Sequence, residues 1–262
     1  MKIDLTGRTA LITGATGDLG RFMVRTLAEC GASIGVHYLK NAAKANELCK
    51  AVVADGGRAV AVQADVTDFD SVRAMQAEIA SSLGAPDIIV TNAVIQYDWK
   101  HALDQDIEDY ESQYRSCVLH NVFMAKTFVP AMIERGWGRV IGINTECTIQ
   151  CWPNQSAYVS GKHGMNGFLE TLAKEIGPHG VTVNQVAPGW MYSDRDRQEE
   201  KETGKSARIG GAYGGMLPLR HRGDDQDIAN IVAFLASDLA KFITGAFIPV
   251  NGGGATVPSW LQ

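Results

Sequence analysis

The chain has 262 residues, of which 45% are hydrophobic and 20% charged, and its formal net charge is −5. An acidic balance argues against a nucleic-acid-binding surface, and the length fits one large domain over residues 1–262. No apolar run in the sequence is long enough to indicate a membrane span, and the first five residues lack the apolar segment of a signal peptide. We therefore expect a cytoplasmic protein with no membrane partner.

Short β-rich apolar runs alternate with longer segments of helical periodicity. Strands are predicted at residues 9–13, 33–37, 59–63, 88–91, 140–143, 181–186 and 247–250, and helices at 21–30, 41–54, 71–83, 104–134, 157–176 and 225–236. Near-continuous apolar strands that alternate with helices are typical of a parallel sheet covered on both faces. The pattern predicts an α/β fold, a doubly wound parallel sheet of seven strands in a single domain.

One segment interrupts the alternation. Residues 192–215 are polar and glycine-rich, with a run of charged side chains from Asp194 to Lys201. The segment fits two interpretations: a solvated surface excursion, or a mobile lid over a site, here placed around residues 190–217.

A glycine-rich turn joins the first strand to the first helix. Glycine lets the backbone approach a pyrophosphate closely, and the N-terminus of the following helix favours negative charge. A turn in this position, after the first strand of an alternating chain, predicts a dinucleotide site. Its candidate residues are Gly14, Thr16, Gly17, Asp18, Leu19 and Gly20.

The ends of the second and third strands bear on the choice of cofactor. No acidic residue follows the second strand to bind a ribose hydroxyl; the sequence offers His37, Tyr38 and Lys40 instead. His37 and Lys40 are potential partners for a 2′-phosphate, so NADP(H) is favoured and NAD(H) stays possible, although Lys40 also fits an ordinary surface lysine. Asp65, followed by Val66, fits an adenine contact or a helix N-cap, a place that Thr67 or Asp68 would fill better.

Tyr158 and Lys162 lie four residues apart in a predicted helix, so their side chains share one face. A lysine ammonium beside a phenol favours the phenolate and lowers its pKa. Such a tyrosine can exchange a proton with an alcohol oxygen. By itself this spacing is also common on solvated helices, and the glycine turn is what favours the catalytic interpretation.

Together these segments resemble the short-chain dehydrogenase/reductase (SDR) family over nearly the whole chain. The resemblance includes residues 183–189, which in the family flank the nicotinamide, and Asn251-Gly252-Gly253. It implies a Rossmann fold, a small-molecule alcohol or carbonyl substrate, hydride transfer with a nicotinamide cofactor, and a homotetramer or homodimer. In such members the main dimer face is formed by residues 104–134 and 157–176.

The resemblance also implies roles for individual residues. Tyr158 matches the general acid/base, and Lys162 matches the lysine that holds the nicotinamide ribose and lowers the pKa of Tyr158. Thr145 lies thirteen residues before Tyr158, where the family has its catalytic hydroxyl, and a threonine hydroxyl can still donate to a substrate oxygen; the alternative is a strand-end threonine. Further cofactor-binding residues implied in this way are Asn92, Ala93, Pro188 and Gly189.

Three departures from the family pattern motivate a different hypothesis, a catalytically weak NADP-binding sensor or scaffold. Asp18 stands at the middle glycine position, and a carboxylate near a pyrophosphate is repulsive unless it points away. Val94 replaces a glycine after the fourth strand. Val118 aligns with the helix-four asparagine that supports a proton relay, and Asn121, one turn away, is a candidate substitute.

Side chains that flank these motifs in sequence are expected to line a substrate pocket, because they follow strand C-termini. Aromatic rings with Glu146 and Gln96 suit a sugar, polyol or cyclic alcohol; a 3-oxoacyl reductase is the alternative. Trp99 and Trp152 also fit packing roles in a core or interface. The tentative substrate residues are Gln96, Glu146, Trp152, Trp190 and Tyr192, with Tyr97, Trp99 and Met191 as further candidates.

The cysteines indicate neither disulfides nor a metal site. There are five, an odd number, and no CxxC motif or histidine pair at ligand spacing accompanies Cys147 and Cys151. We expect reduced thiols and no metal.

Overall fold

Seven parallel strands form one sheet in the order β3-β2-β1-β4-β5-β6-β7 in a computed structural model that describes residues 2–205 and 212–254. Four of the strands, β1, β4, β5 and β6, are buried along their whole length, as expected for strands covered on both faces. The bounds are β1 Thr9–Ile12, β2 Ser33–Tyr38, β3 Ala59–Gln63, β4 Ile88–Thr91, β5 Gly138–Ile143, β6 Val181–Pro188 and β7 Phe247–Val250.

Helices connect the strands and cover both faces of the sheet. Their bounds are α1 Asp18–Glu29, α2 Ala42–Ala54, α3 Phe69–Leu83, α4 Ile107–Gln113, α5 His120–Arg135, α6 Cys147–Gln150, α7 Ser156–Ile176, α8 Asp194–Thr203, α9 Ala212–Met216 and α10 Asp225–Ala236. One core cluster contains apolar residues of α1, α2 and α10, and the other contains those of α3, α5 and α7. The predicted doubly wound parallel sheet of seven strands is confirmed.

The strand order places a topological switch at β1 and β4. The chain leaves β1 towards β2 and β3 on one side, and β4 begins the other half of the sheet beside β1. At such a switch the connecting loops diverge and leave a crevice at the carboxyl ends of the strands. The glycine turn follows β1, so it lies at that crevice.

The predicted helix over residues 104–134 is one helical stretch with a change of winding. α4 is followed by a π-helical turn, Tyr114–Leu119, and then by α5. A wider π turn shifts the register of every side chain that follows it, which residue spacing alone does not reveal. The stretch Ile107–Arg135 has the length and composition of a membrane-spanning helix, which we did not expect from the sequence. However, 61% of its most apolar 18-residue stretch is buried within the protein, as in the core helix of a soluble fold.

The polar segment after β6 contains helices where the sequence suggested a loop. Ser193 and Asp196 form a capping box at the start of α8, which satisfies the N–H groups of its first turn. α9 follows at Ala212–Met216. Residues 206–211, within the predicted lid at 190–217, lie outside the described residues.

Candidate active site

A cavity of about 490 Å³ opens at the carboxyl edge of the sheet. The segments after β1, β4, β5 and β6 all contribute to it, as the switch in strand order requires. Its lining residues are Asp18, Leu19, Asn92, Val94, Ile95, Gln96, Tyr97, Trp99, Ile143, Asn144, Thr145, Glu146, Cys147, Gln150, Trp152, Gln155, Tyr158, Lys162, Pro188, Gly189, Trp190, Met191, Ser193 and Asp225.

Tyr158 lies in the first turn of α7, and its side chain faces the cavity. The side chain of Thr145 lines the same cavity. The Trp99 ring stacks on Tyr158 with centroids 6.3 Å apart and planes 24° apart. The Tyr158 backbone N–H donates to Tyr97 Oη at 2.7 Å, so the two aromatic residues before α4 fix Tyr158 from both its ring and its backbone.

Burial controls the ionisation of Tyr158. Desolvation is the largest effect and raises the pKa of its phenol well above the ordinary value, while the neighbouring Thr145 hydroxyl lowers it by less. This differs from our expectation of a pKa lowered by Lys162. In the structure the phenol is the stable form, which suits it to donate a proton.

Lys162 is almost completely buried, at 4% exposure. Its Nζ donates to the carbonyl oxygen of Ile143 at 2.6 Å and lies 5.8 Å from the centroid of the Tyr158 ring. Burial lowers its own pKa. The α-helical spacing thus places Lys162 and Tyr158 on one face, as predicted, with the ammonium held beneath the ring by the end of β5.

Thr145 is held at the end of β5 by neighbouring polar groups. Its N–H donates to Asn144 Oδ1 at 2.9 Å, and its Oγ1 accepts from the Cys147 N–H at 3.2 Å. Asn144 Nδ2 donates to Gln185 Oε1 at 2.6 Å, and Gln185 Nε2 donates to Asn166 Oδ1 at 2.6 Å. This buried amide chain fixes Asn144, and through it the backbone of Thr145.

The glycine turn has the shape that a pyrophosphate requires. Gly14 has φ +63°, and a Cβ there would lie 3.0 Å from Ala93 Cα. A Cβ on Gly20 would lie 2.3 Å from the Gly14 carbonyl oxygen, so only glycine lets α1 begin this close to β1. Gly17, the N-cap of α1, brings no side chain to its first N–H groups. These features fit the phosphates of a dinucleotide. Asp18, in the first turn of α1, is exposed.

Asn92 braces this turn. Its Nδ2 donates to the carbonyl oxygens of Thr13 and Gly14 at 3.0 and 3.2 Å. Thr13 Oγ1 accepts from the N–H groups of Asn92 and Ala93 at 2.8 and 3.1 Å. Asn92 and Ala93 therefore couple the end of β4 to the turn after β1.

His37 does not serve as the predicted partner of a 2′-phosphate. It is 2% exposed, its Nδ1 accepts from the Gly14 N–H at 3.0 Å, and its Nε2 lies 3.0 Å from the Ala64 carbonyl oxygen. With both ring nitrogens engaged, His37 supports the glycine turn. Burial lowers its pKa and favours the neutral imidazole that this pairing needs.

The other residues predicted for the adenosine end lie at the same sheet edge but outside the cavity lining. Lys40 is exposed just after β2, and Tyr38 is partly buried against the core. Asp65 Oδ1 accepts from the Thr67 N–H at 2.8 Å and from Thr67 Oγ1 at 2.7 Å. Asp68 is the N-cap of α3, so Asp65 is not. The remaining members of this group are Thr16, which is partly buried, and Val66, which is buried.

Asn121 is not available for the relay role considered from the sequence. Its Oδ1 accepts from Thr91 Oγ1 at 2.6 Å, and its Nδ2 donates to the Cys117 carbonyl oxygen at 2.7 Å. Val118 lies in the π turn and is buried against α7 near Gly164. Neither residue lines the cavity.

Four of the five tentative substrate residues line the cavity: Gln96, Glu146, Trp152 and Trp190. Tyr192 does not. It is buried at 8% exposure, and its hydroxyl donates to Glu200 of α8. The same cavity contains residues that the motifs did not single out, namely Gln155, Cys147, Gln150 and Ser193. The sequence could have identified Gln155 as a cavity residue, because it lies three residues before Tyr158 and therefore on the same side of the helix.

Ion pairs hold α8 over the cofactor end of the crevice. Arg21 of α1 pairs with Asp194. Arg197 pairs with Asp225 at 3.0 Å, and Arg222 pairs with Asp196 at 2.8 Å. Burial raises the pKa of Asp196, but hydrogen bonds from Arg222 and Ser193 outweigh it and bring the value to about 2. The start of the predicted lid is therefore fastened to both α1 and α10.

The family model described as enoyl-(acyl carrier protein) reductase matches residues 14–255. The chain belongs to the short-chain dehydrogenase/reductase family. It is an oxidoreductase of CH–OH and C=O groups that uses a nicotinamide cofactor. The same site geometry therefore places Thr145, Tyr158 and Lys162 in the cavity of an SDR enzyme.

Relatives and solved structures cover nearly all of this SDR chain. The 3-oxoacyl-[acyl-carrier-protein] reductase FabG of Staphylococcus aureus is 36% identical over 94% of this chain and 97% of its own. Nodulation protein G of Azospirillum brasilense is 32% identical over 95% and 98%. A candidate gluconate dehydrogenase from Agrobacterium tumefaciens superposes with a TM-score of 0.89 at 25% identity, covering 98% of this chain and 100% of that one.

Proposed function

We propose that this enzyme is an NADP(H)-preferring SDR that interconverts an alcohol and a carbonyl group on a sugar, polyol or cyclic alcohol, with Thr145, Tyr158 and Lys162 as its catalytic residues. The observation that carries the proposal is that Thr145 and Tyr158 line one cavity, which continues to the residues after the glycine turn. Two hydroxyl groups meet where a substrate oxygen would lie, beside a turn shaped for phosphates.

A nicotinamide cofactor bound at the glycine turn would supply or take up the hydride. In reduction, the Tyr158 phenol transfers its proton to the substrate oxygen as that oxygen gains charge, and Thr145 donates a hydrogen bond to the same oxygen. The buried Lys162 ammonium stabilises the phenolate left behind and would hold the ribose of the cofactor. Oxidation runs through the same groups in reverse, with the substrate hydroxyl giving its proton to Tyr158.

A 3-oxoacyl reductase is the second candidate, and the named activity of the Staphylococcus aureus relative favours it. In favour of a hydroxylated substrate, Glu146 lies in the cavity at 3% exposure, and its carboxyl group can accept hydrogen bonds. The sensor hypothesis rests on Asp18, Val94 and Val118. The presence of the Thr145 and Tyr158 hydroxyls in one cavity argues against it. The test is nicotinamide absorbance with both cofactors and a panel of sugars, polyols, cyclic alcohols and acetoacetyl-CoA: turnover supports an enzyme, and cofactor binding without turnover supports the sensor.

We further propose a single-domain, cytoplasmic enzyme that assembles as a homotetramer or homodimer. Ile107 and Tyr114, on α4 and the π turn, are 68% and 53% exposed. Large apolar side chains on one helical stretch suit a subunit interface. Light scattering of the purified protein measures the assembly directly.

Lys40 is expected to favour NADPH over NADH. It is the exposed cation just after β2, where the 2′-phosphate of NADP(H) would lie. Lys40→Ala should weaken NADPH binding about 10-fold, because a charge-assisted hydrogen bond is lost, and leave NADH binding unchanged. Fluorescence titration with both cofactors measures this. The control is Lys50→Ala, which removes an exposed lysine near the end of α2; equal losses for NADPH and NADH in Lys40→Ala would refute the assignment.

The raised pKa of Tyr158 predicts opposite pH dependences for the two directions. Below that pKa the phenol predominates, and the phenolate fraction grows tenfold for each pH unit. We expect kcat/KM for alcohol oxidation to increase from about pH 7 to about pH 10, whereas carbonyl reduction stays level, because the phenol is the proton donor. Steady-state profiles in both directions measure it. An oxidation rate already level at about pH 7 would mean that Lys162 and the cofactor overcome burial.

A further inference from the structure

The backbone N–H of Tyr158 needs an acceptor from outside its own helix. α7 begins at Ser156, and its first internal hydrogen bond runs from the Val159 N–H to the Gln155 carbonyl oxygen at 2.8 Å. The N–H groups that precede this bond have no partner within an α-helix. Tyr158 carries the last of them, at the third helical position, where the side chain of the N-cap residue often supplies the acceptor.

Gln155, the N-cap residue of α7, does not supply it. Its side chain makes no hydrogen bond to the first turn, all of whose residues the structure describes. Residues that cap a helix with their side chain usually have an extended backbone, whereas Gln155 has φ −114° and ψ 16°. The acceptor for the Tyr158 N–H therefore has to come from another part of the chain.

Tyr97 provides this acceptor from 61 positions away in the sequence. Its Oη accepts the Tyr158 N–H at 2.7 Å, at the short end of the range for such hydrogen bonds. Burial raises the pKa of the Tyr97 phenol, so this group stays neutral and adds no charge beside the reacting tyrosine. The bond joins Tyr97 to the residue that carries the reacting phenol, and not to a neighbour of it.

The segment that carries Tyr97 is itself fixed against α7. Gln113, which has no exposed surface, donates from its Nε2 to the Ile95 carbonyl oxygen at 2.8 Å. A Cβ on Gly161 would lie 2.9 Å from the Gln113 carbonyl oxygen, so α7 passes very close to Gln113. The segment is thus tied to α7 on both sides of Tyr158, by Tyr97 at the first turn and through Gln113 one turn further along.

We propose that Tyr97 is a positioning residue for proton transfer: its hydroxyl caps α7 by accepting from the Tyr158 N–H and thereby holds the Tyr158 phenol where the substrate oxygen requires it. The inference rests on the proposed oxidoreductase function. Tyr97 acts through Tyr158 and exchanges no proton itself.

Proton transfer is sensitive to such a support, because a displacement of about 1 Å can cost about 100-fold in rate. Without Tyr97 Oη, the Tyr158 N–H has to turn towards another acceptor, which shifts the first turn of α7. Lys162 lies one turn further along and is held by the Ile143 carbonyl oxygen. The loss of the cap should therefore change catalysis and leave cofactor binding intact.

Tyr97→Phe keeps the ring and removes the acceptor. We expect kcat to fall about 10-fold, since one hydrogen bond is lost and Tyr158 is displaced by a fraction of an ångström, with KM and NADPH binding unchanged. Kinetics use the compound of the panel above that the wild type converts fastest, and fluorescence titration measures NADPH binding. Tyr110→Phe is the matched control: its hydroxyl lies 2.8 Å from Ser156 Oγ in the same turn of α7, and kcat should not change.

A double-mutant cycle separates positioning from a general loss of structure. A residue that acts only through the Tyr158 hydroxyl has no further effect once that hydroxyl is gone. Tyr97→Phe should therefore lower kcat in the wild type and leave the residual kcat of Tyr158→Phe unchanged. An equal loss in both backgrounds would show that Tyr97 only stabilises the fold.

Hydrogen exchange tests the cap without relying on turnover. The Tyr158 N–H should exchange slowly in the wild type and about 10-fold faster in Tyr97→Phe, because a typical hydrogen bond contributes about 1 kcal/mol. Tyr110→Phe should leave its exchange unchanged. Rapid exchange of the Tyr158 N–H in the wild type refutes the cap, even if Tyr97→Phe does not fold.

The outcomes distinguish this proposal from the oxidoreductase function on which it rests. If Tyr97→Phe has the kcat of the wild type, or raises KM alone, the positioning role is refuted and the oxidoreductase function stands. If the wild type binds NADPH and converts no compound of the panel, the proposed function itself fails, and the positioning role fails with it.

Discussion

Replacing Tyr158 with phenylalanine should lower kcat by roughly 10²–10⁴-fold, the usual contribution of a positioned general acid or base. The ring remains to stack on Trp99, and the N–H that donates to Tyr97 belongs to the backbone, so the fold and the cavity should persist. Only the group that exchanges the proton is lost. Steady-state kinetics in both directions measure the effect, and fluorescence titration should show unchanged NADPH binding.

Tyr110→Phe is the matched control for this change. Its hydroxyl lies 2.8 Å from Ser156 Oγ, and Tyr110 does not line the cavity. Loss of turnover in Tyr158→Phe but not in Tyr110→Phe identifies the proton donor. Equal activity of wild type and Tyr158→Phe would remove Tyr158 from the mechanism and strengthen the sensor hypothesis.

Thr145→Val should reduce kcat by roughly 10²–10³-fold, which is typical for the loss of one donor to a developing oxyanion. Valine keeps the branched shape of threonine, so the cavity hardly changes, whereas the Thr145 hydroxyl in the cavity disappears. The bond from the Cys147 N–H to Thr145 Oγ1 is lost as well, which predicts a modest loss of stability. Kinetics and thermal unfolding separate the two effects.

Thr145→Ser tests the same position in the opposite sense. Serine keeps the hydroxyl and removes only the methyl group, so activity should stay close to that of the wild type. A Thr145→Val enzyme as active as Thr145→Ser would show that Thr145 is a strand-end residue without a catalytic hydroxyl. Both variants keep the Thr145 N–H that donates to Asn144.

The departures from the family pattern affect the supports of the site more than its reacting groups. Val118 lies in the π turn, outside the cavity lining, and Asn121 is committed to Thr91 and Cys117. Neither Val118 nor Asn121 is therefore available for the proton relay that the family pattern implies. The Lys162 ammonium instead donates to the Ile143 carbonyl oxygen at 2.6 Å.

The sequence by itself determined the sheet and the positions of its main motifs. Strands such as Ile88–Thr91 are continuous apolar runs, and the β3, β4 and β7 bounds were predicted without change. The glycine turn could also be predicted from the sequence, because only glycine fits at Gly14 and Gly20. Tyr158 and Lys162 could be paired because their spacing is fixed by one helix. Each of these inferences depends on residues that are close in sequence.

The tertiary structure decided the features that depend on distant residues. His37 supports the turn through Gly14 and Ala64, and Tyr192 is buried beneath α8, so neither serves as the sequence suggested. The pKa of Tyr158 depends on how many groups exclude water from it, which no local pattern encodes. Hydrogen bonding and burial are set by how the elements pack together, and periodicity describes each element separately.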